Sequence, residues 1–201
     1  IQGNFVYLAD EWGLRIYNIT VPSSIHLEGK IQTLWTYGES TGVDVAGNYA
    51  YVAGSGDGVI VIDVSNPANP QYVTKTDAHG FTSTVDIAGD RLYAGNGGSV
   101  EVFDASNPLS IPPVLGTYST PGFINGVKAV GATLFVSDGG GGIKVLDVSN
   151  PAAISLIHAI QTPGFAYQSV PVGDLLYVAA GRGGMLIYEK QTTRSADPSV
   201  S

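Results

Sequence analysis

The chain has no cysteine among its 201 residues, which excludes disulfides, thiolate-ligated metals and thiol nucleophiles together. It is also poor in charge. Asp, Glu, Lys and Arg make up 13%, with nine basic residues against seventeen acidic ones and no basic cluster. Phosphate backbones and anionic membranes are gripped by clustered Lys and Arg, so neither nucleic acid nor an acidic bilayer is expected as a partner. No apolar run approaches the ~20 residues of a membrane-spanning helix, so no transmembrane segment is expected. Nor does any stretch keep the helical period over three turns. The only methionine is Met185 and the chain starts at Ile1, which points to a removed leader or to further sequence upstream. With its many Gly, Ser, Thr, Tyr and Asn residues, the composition favours a secreted, periplasmic or cell-surface protein.

What is abundant is glycine, 27 residues in a chain that is 44% apolar. Five of these glycines are regular. Gly3, Gly47, Gly89, Gly131 and Gly173 are separated by 44, 42, 42 and 42 positions. Each stands four residues ahead of an aromatic: Tyr7, Tyr51, Tyr93, Phe135 and Tyr177. A Gly-rich or acidic loop follows, then an apolar segment ending at Asn18, Asp63, Asp104, Asp147 or Glu189. The chain is thus five copies of one unit, residues 1–41, 42–83, 84–125, 126–167 and 168–190.

The second copy is the clearest. Val43-Asp44-Val45-Ala46 alternates as a short strand, and Gly47-Asn48 supplies a tight hairpin turn. Residues 49–53 form the next strand, and residues 54–58 turn the chain again. Val59-Ile60-Val61-Ile62 is a β-branched run of the kind found where both sheet faces are covered. Residues 71–76 are more polar and suit an exposed edge, with Lys75 placed to block pairing with another chain. Four strands per 42 residues predict an all-β fold, a β-propeller of four-stranded blades.

The same residues carry a family resemblance. Val59-Ile60-Val61-Ile62-Asp63-Val64-Ser65-Asn66-Pro67 and Ile143-Lys144-Val145-Leu146-Asp147-Val148-Ser149-Asn150-Pro151 resemble the LVIVD repeat, and residues 47–53 resemble its preceding hairpin. The resemblance covers about residues 1–190 and implies a propeller-type protein, exported or on the cell surface of bacteria and archaea, mostly without an assigned activity. The first copy departs from the pattern at residues 18–22 and the fifth at 189–191.

Asp63, Asp104 and Asp147 each precede x-Ser-Asn-Pro, where a short carboxylate can accept backbone N–H bonds across a turn. Pro67, Pro108 and Pro151 then fix φ and stop the strand. These groups are read as structural. The first copy lacks its opening strand and the fifth its closing one, which favours a segment of a six- to eight-bladed ring over a five-bladed ring with missing edges. Residues 191–201 have no apolar pattern and read as a tail or linker.

Function is sought in the loops, on a face where connections from every blade gather. Phe81, Phe123 and Phe165 recur and are read as packing between blades. Glu11, Trp12, His79 and Arg182 are unique within their loop sets, and with Asp57 and Asp138 they form the candidate binding face. Asp57, Asn96 and Asp138 sit next to Gly and are weak calcium candidates, since hard cations favour oxygen ligands on flexible backbone. The histidines His26, His79 and His158 have no paired spacing, so no transition-metal site and no cofactor is expected. No nucleophile elbow and no phosphate-binding loop is present. The leading expectation is a non-enzymatic protein–protein interaction or structural module of an exported assembly. The edge segments 34–37 and 72–76 offer strand addition as a second way to join a partner. The alternatives are a hydrolase or lyase acting on a sugar-like substrate over the central channel, and a small-ligand or calcium-binding propeller, with Trp12, Phe81 and Tyr167 as ligand-holding aromatics.

Overall fold

Short apolar segments punctuated by Gly turns fold here into strands and little else. The computed structural model describes residues 1–32, 40–76 and 80–190. Among them lie five antiparallel sheets, each a meander whose hydrogen-bonded order follows the chain. The first holds β1 (Phe5–Asp10), β2 (Gly13–Asn18) and β3 (His26–Gln32). The second holds β4 (Gly42–Ala46), β5 (Tyr49–Ala53), β6 (Val59–Asp63) and β7 (Gln71–Lys75). The third holds β8 (Thr82–Ala88), β9 (Arg91–Asn96), β10 (Ser99–Asp104) and β11 (Gly116–Ser119). The fourth holds β12 (Gly126–Val130), β13 (Thr133–Ser137), β14 (Ile143–Asp147) and β15 (Ser155–Ile160), and the fifth β16 (Gln168–Val172), β17 (Leu175–Ala179) and β18 (Met185–Glu189). Each sheet is one copy of the repeat, a blade. The first blade begins at the strand equivalent to β5, and the fifth stops at the strand equivalent to β6.

The regular glycines hold their places for a backbone reason. Gly3, Gly47, Gly89, Gly131 and Gly173 have φ between +55 and +58, and a Cβ at any of them would meet nothing within 4 Å. Conformation, not space, demands glycine in these hairpin turns. The turn after the third strand also repeats. Ser65 N–H donates to Asp63 Oδ1 at 2.8 Å, Ser106 N–H to Asp104 Oδ1 at 2.9 Å and Ser149 N–H to Asp147 Oδ1 at 2.9 Å. Asn18, where the first copy departs in sequence, does the same work by accepting from Thr20 N–H at 2.9 Å.

The core lies between sheets. Four apolar clusters, among the described residues, each join consecutive blades. Between the first and second, Leu14 and Ile16 meet Ala50, Val52, Ile60 and Ile62. Between the second and third, Tyr51, Val59 and Val61 meet Leu92, Ala94 and Phe103. Alternate residues along each strand therefore face the preceding and the following blade, and both sets are apolar in β5 and β6. The innermost strands β4, β8, β12 and β16 pack side by side.

A carboxylate staples two of these junctions. Asp44 Oδ2 accepts from Ile87 N–H at 3.1 Å, and Asp86 Oδ2 accepts from Ala129 N–H at 2.8 Å, each reaching from one innermost strand to the next. The third equivalent residue is Lys128, which has no acceptor. The position it would bond is Pro171, which has no N–H. Both halves of the staple are absent at the same junction. Lys128 Nζ instead turns back to Asp86. Burial pushes the Asp86 carboxyl up; on Lys128 burial is outweighed by the charges of Asp86 and Asp44, which hold the ammonium above its usual value.

One expectation is corrected. Phe81, Phe123 and Phe165 are not buried between blades: each is about half exposed, although the Phe81 and Phe123 rings face one another across two copies. The buried residue is the one that follows, Thr82, Ile124 or Ala166. β7 lies at the edge of its sheet, and Lys75 on it pairs through Nζ with Asp57 Oδ1 at 2.7 Å. The segment 34–37, the histidine at 79 and residues 191–201 lie outside the described residues.

Candidate functional site

One end of the blades collects two kinds of loop. The turn between the second and third strands of each blade touches the segment that enters the next blade. Ser55 bridges Thr82 and Gly139 bridges Ala166. Gly97 N–H donates to Phe81 O at 3.0 Å, and Ile124 N–H to Gly97 O at 2.7 Å. Candidate loop residues are therefore held on a backbone lattice that runs from blade to blade.

The polar groups singled out from the sequence are mostly turned inward, and they are paired within their own blades. Two positions in each blade face one another, one at the end of the second strand and one in the third. In the first blade they are Asp10 and Arg15, joined as an ion pair. In the second they are Gly54 and Ile60, where a Cβ on Gly54 would overlap the isoleucine. In the third they are Asn96 and Glu101, with Asn96 Nδ2 donating to Glu101 Oε2 at 2.7 Å. In the fourth they are Asp138 and Lys144, at 3.5 Å, and in the fifth the apolar pair Ala180 and Leu186. One steric problem is solved by charge, by packing or by an amide, and each partner matches its mate.

The weak calcium candidates lie apart from one another and have partners of their own. Asp138 is fully buried, and its Oδ1 accepts from Gly122 N–H at 3.0 Å. Asn96 also accepts from Thr82 Oγ1. Asp57 faces Lys75. The three lie in different blades with separate partners and do not converge. No group of three or more metal-ligating side chains occurs among the described residues. Burial works against ionisation of Asp10, but the N–H groups of Trp12 and Gly13 and the Arg15 guanidinium hold its carboxyl below the usual value.

The outward-facing groups that recur from blade to blade are aromatic. Trp12 is exposed at the tip of the first blade, and Phe81, Phe123, Phe165 and Tyr167 follow along the same rim. The Phe81 and Phe123 rings are 6.1 Å apart and inclined at 51°. Phe165 and Tyr167 border an open cleft of about 570 Å³ completed by Thr162, Pro163 and Arg182. Glu11 and Arg182 are exposed, but they belong to the first and fifth blades and are not brought together. Of the loop residues named from the sequence, Glu11, Trp12 and Arg182 point outward, whereas Asp57 and Asp138 are buried. Aligning Asp10, Asn96 and Asp138 with the third-strand positions would have exposed the pairing.

Comparison with known proteins follows the same lines. The model of the LVIVD repeat matches residues 1–33, 37–77 and 121–162. No curated protein matches the chain in sequence. Among solved structures, the computationally designed Ika8 protein is similar with TM-score 0.70 and 12% identity, over 94% of this chain and 56% of that one. A chain of the mitotic checkpoint complex is similar with TM-score 0.76 and 13% identity, over 94% of this chain and 60% of that one. The WD40 repeats of RRP9 follow with TM-score 0.68 and 16% identity, over 90% and 58%. This chain thus spans less than two thirds of the length of these three. At such identities the likeness is one of fold, a repeat β-propeller. No helix among the described residues is long and apolar enough to cross a membrane.

Proposed function

The chain belongs to the LVIVD repeat family, and from that premise we propose that it is a non-enzymatic interaction module of an exported, cell-surface or extracellular assembly. One observation carries the reading. Successive blades place Phe81, Phe123 and Phe165 half exposed at one repeat position, while Asp10, Asn96 and Asp138 are tied inside their blades. A rim that presents recurring aromatic surface, with Glu11 and Arg182 as exposed charges beside it, suits a protein partner, because aromatics supply large contact area at low entropic cost. A structural neighbour of the same fold is a component of a multiprotein complex, which supports the reading. Low charge with many Gly, Ser, Thr, Tyr and Asn residues supports export.

The test is capture from extracts of the source cells, using the chain and its Phe81→Ser, Phe123→Ser, Phe165→Ser variant. The chain is expected to retain a partner that the variant loses, with the melting temperature of both unchanged within a few degrees. A variant that captures the same proteins, or a chain that remains strictly monomeric and captures none, sinks the proposal.

A further inference from the structure

Two residues of the rim depart from their equivalents in the other copies, and both line the cleft beside Phe165. The first is Tyr167. Its equivalents are used to join blades: Thr41 Oγ1 donates to Ser83 O at 2.8 Å, Ser83 Oγ to Ile124 O at 2.6 Å and Asn125 Nδ2 to Ala166 O at 3.2 Å. The Tyr167 side chain is exposed and makes no such bond among the described residues. The second is Arg182, which stands where the second and fourth copies have Gly56 and Gly140. Arg15 and Arg91 are paired with Asp10 and Asp104, whereas Arg182 has no ion-pair or hydrogen-bond partner among the described residues. Among those residues it is also the one charged side chain that lines the cleft. A guanidinium therefore replaces glycine, and a free phenol replaces a structural donor, at the same place.

We propose that this cleft takes an Asp or Glu side chain of an extended partner segment, its carboxylate forked on the Arg182 guanidinium and its apolar neighbour laid on Phe165 and Tyr167. The inference rests on the reading of the rim as a protein-binding surface and names what that surface recognises. Charge chooses the ligand first. A single unpartnered guanidinium matches a single carboxylate through two parallel hydrogen bonds. A polyanion is disfavoured, because the chain as a whole carries a charge of −8. A sugar acid is disfavoured by its hydroxyls, each of which needs a polar partner. Apart from Arg182, the side chains of the cleft offer only the Tyr167 phenol and Thr162, whose Oγ1 already donates to Gly164 O at 2.6 Å. Phe165 is also the third phenylalanine at one repeat position, so a segment laid along Phe81 and Phe123 arrives at this cleft. Aromatic contact then supplies most of the affinity, and the charge fixes direction and register.

The test selects phage-displayed random peptides on the immobilised full chain. Enriched peptides are expected to share an Asp or Glu beside proline, aliphatic or aromatic residues. A synthetic copy of the most enriched peptide should bind about tenfold more weakly to Arg182→Gln, and about tenfold more weakly when its own acid becomes the amide. Arg182→Glu should prefer the peptide whose acid is replaced by Lys, a reversal that a merely structural Arg182 would not give. Both variants should melt with the parent chain, since Arg182 is exposed. No enrichment, enrichment without a shared acid, or stronger binding of oligogalacturonate than of any enriched peptide overturns the proposal. Indifference to Arg182→Gln together with loss on the Phe81→Ser, Phe123→Ser, Phe165→Ser variant sinks this proposal and spares the rim. Indifference to both sinks the two together, and loss on Arg182→Gln alone keeps the carboxylate site and sinks the rim.

Discussion

β6 and β18 are the same strand of the repeat, three blades apart, and they live in different surroundings. Both alternate apolar side chains on two faces. In β6 the residues Val59 to Ile62 are all fully buried, because the first and third blades cover them from either side. In β18 Leu186 and Tyr188 pack on the fourth blade while Met185 and Ile187 face outward. Intrinsic strand preference is similar in the two, so neighbours determine what each side chain contributes to stability.

Truncation gives the largest expected contrast. Ile60→Ala leaves a cavity between two blades and should lower the unfolding free energy by about 2–5 kcal/mol. Ile187→Ala, a chemically identical change at an outward position, should stay within about 0.5 kcal/mol in the same urea titration of the isolated chain. Equal losses at the two sites would mean that the fifth blade's outer face is covered by the chain itself.

A smaller effect sharpens the comparison between blades. Asn96→Asp sets a buried carboxylate against Glu101 and should cost about 1–3 kcal/mol at neutral pH. Adding Glu101→Lys should recover most of it, since the pair then becomes that of Asp138 and Lys144. A double variant no more stable than Asn96→Asp would refute the idea that these positions are interchangeable pairs.

The smallest effect concerns the turns that all three central blades share. Hydroxyl and N–H groups of Ser65, Ser106 and Ser149 hold Asp63, Asp104 and Asp147 below the ordinary carboxylate value. The folded state then binds these protons less tightly than the unfolded chain. The turns add stability above the ordinary Asp value and lose it as the pH falls through the lowered one. Replacing all three by Asn keeps the acceptor oxygen and removes the titration. The acid limb of a melting profile between about pH 5 and 2 should flatten by a few degrees. An unchanged limb would remove the turns from the account of acid sensitivity.

The hairpins and the Asp-x-Ser turns were legible because each is a local device, complete within a few residues of Gly47 or Asp63. The strands were legible for the same reason, and β5 lies where alternation put it. The outward turn of Phe81, Phe123 and Phe165 was not. An aromatic beside a buried Thr82 or Ile124 reads as core, and only the path of the entering segment decides which of the two is covered. The pairs of Asp10 with Arg15 and Asp138 with Lys144 were hidden because the loops between them differ by a residue. Exposure of Met185 was illegible in principle, since its sequence context matches that of buried Ile143 and the difference lies in what stands beyond it.

The staples have a kinetic consequence. Asp44 reaches 43 residues ahead to Ile87, and Asp86 reaches 43 ahead to Ala129. Ser83 Oγ bonds Ile124 O, 41 residues on, and Asn125 Nδ2 bonds Ala166 O, again 41 on. Each is a closure of one repeat length, so the entropy lost in adding a blade is the same at every step and does not grow with the chain. Folding can then advance in order from whichever blades dock first, one repeat at a time, as the polypeptide emerges during synthesis. At Lys128 and Pro171 that relay loses its carboxylate staple and keeps only the bonds from Asn125 to Ala166 and from Ser137 to Ser169, and the fifth blade is expected to be the last to lock and the first to let go.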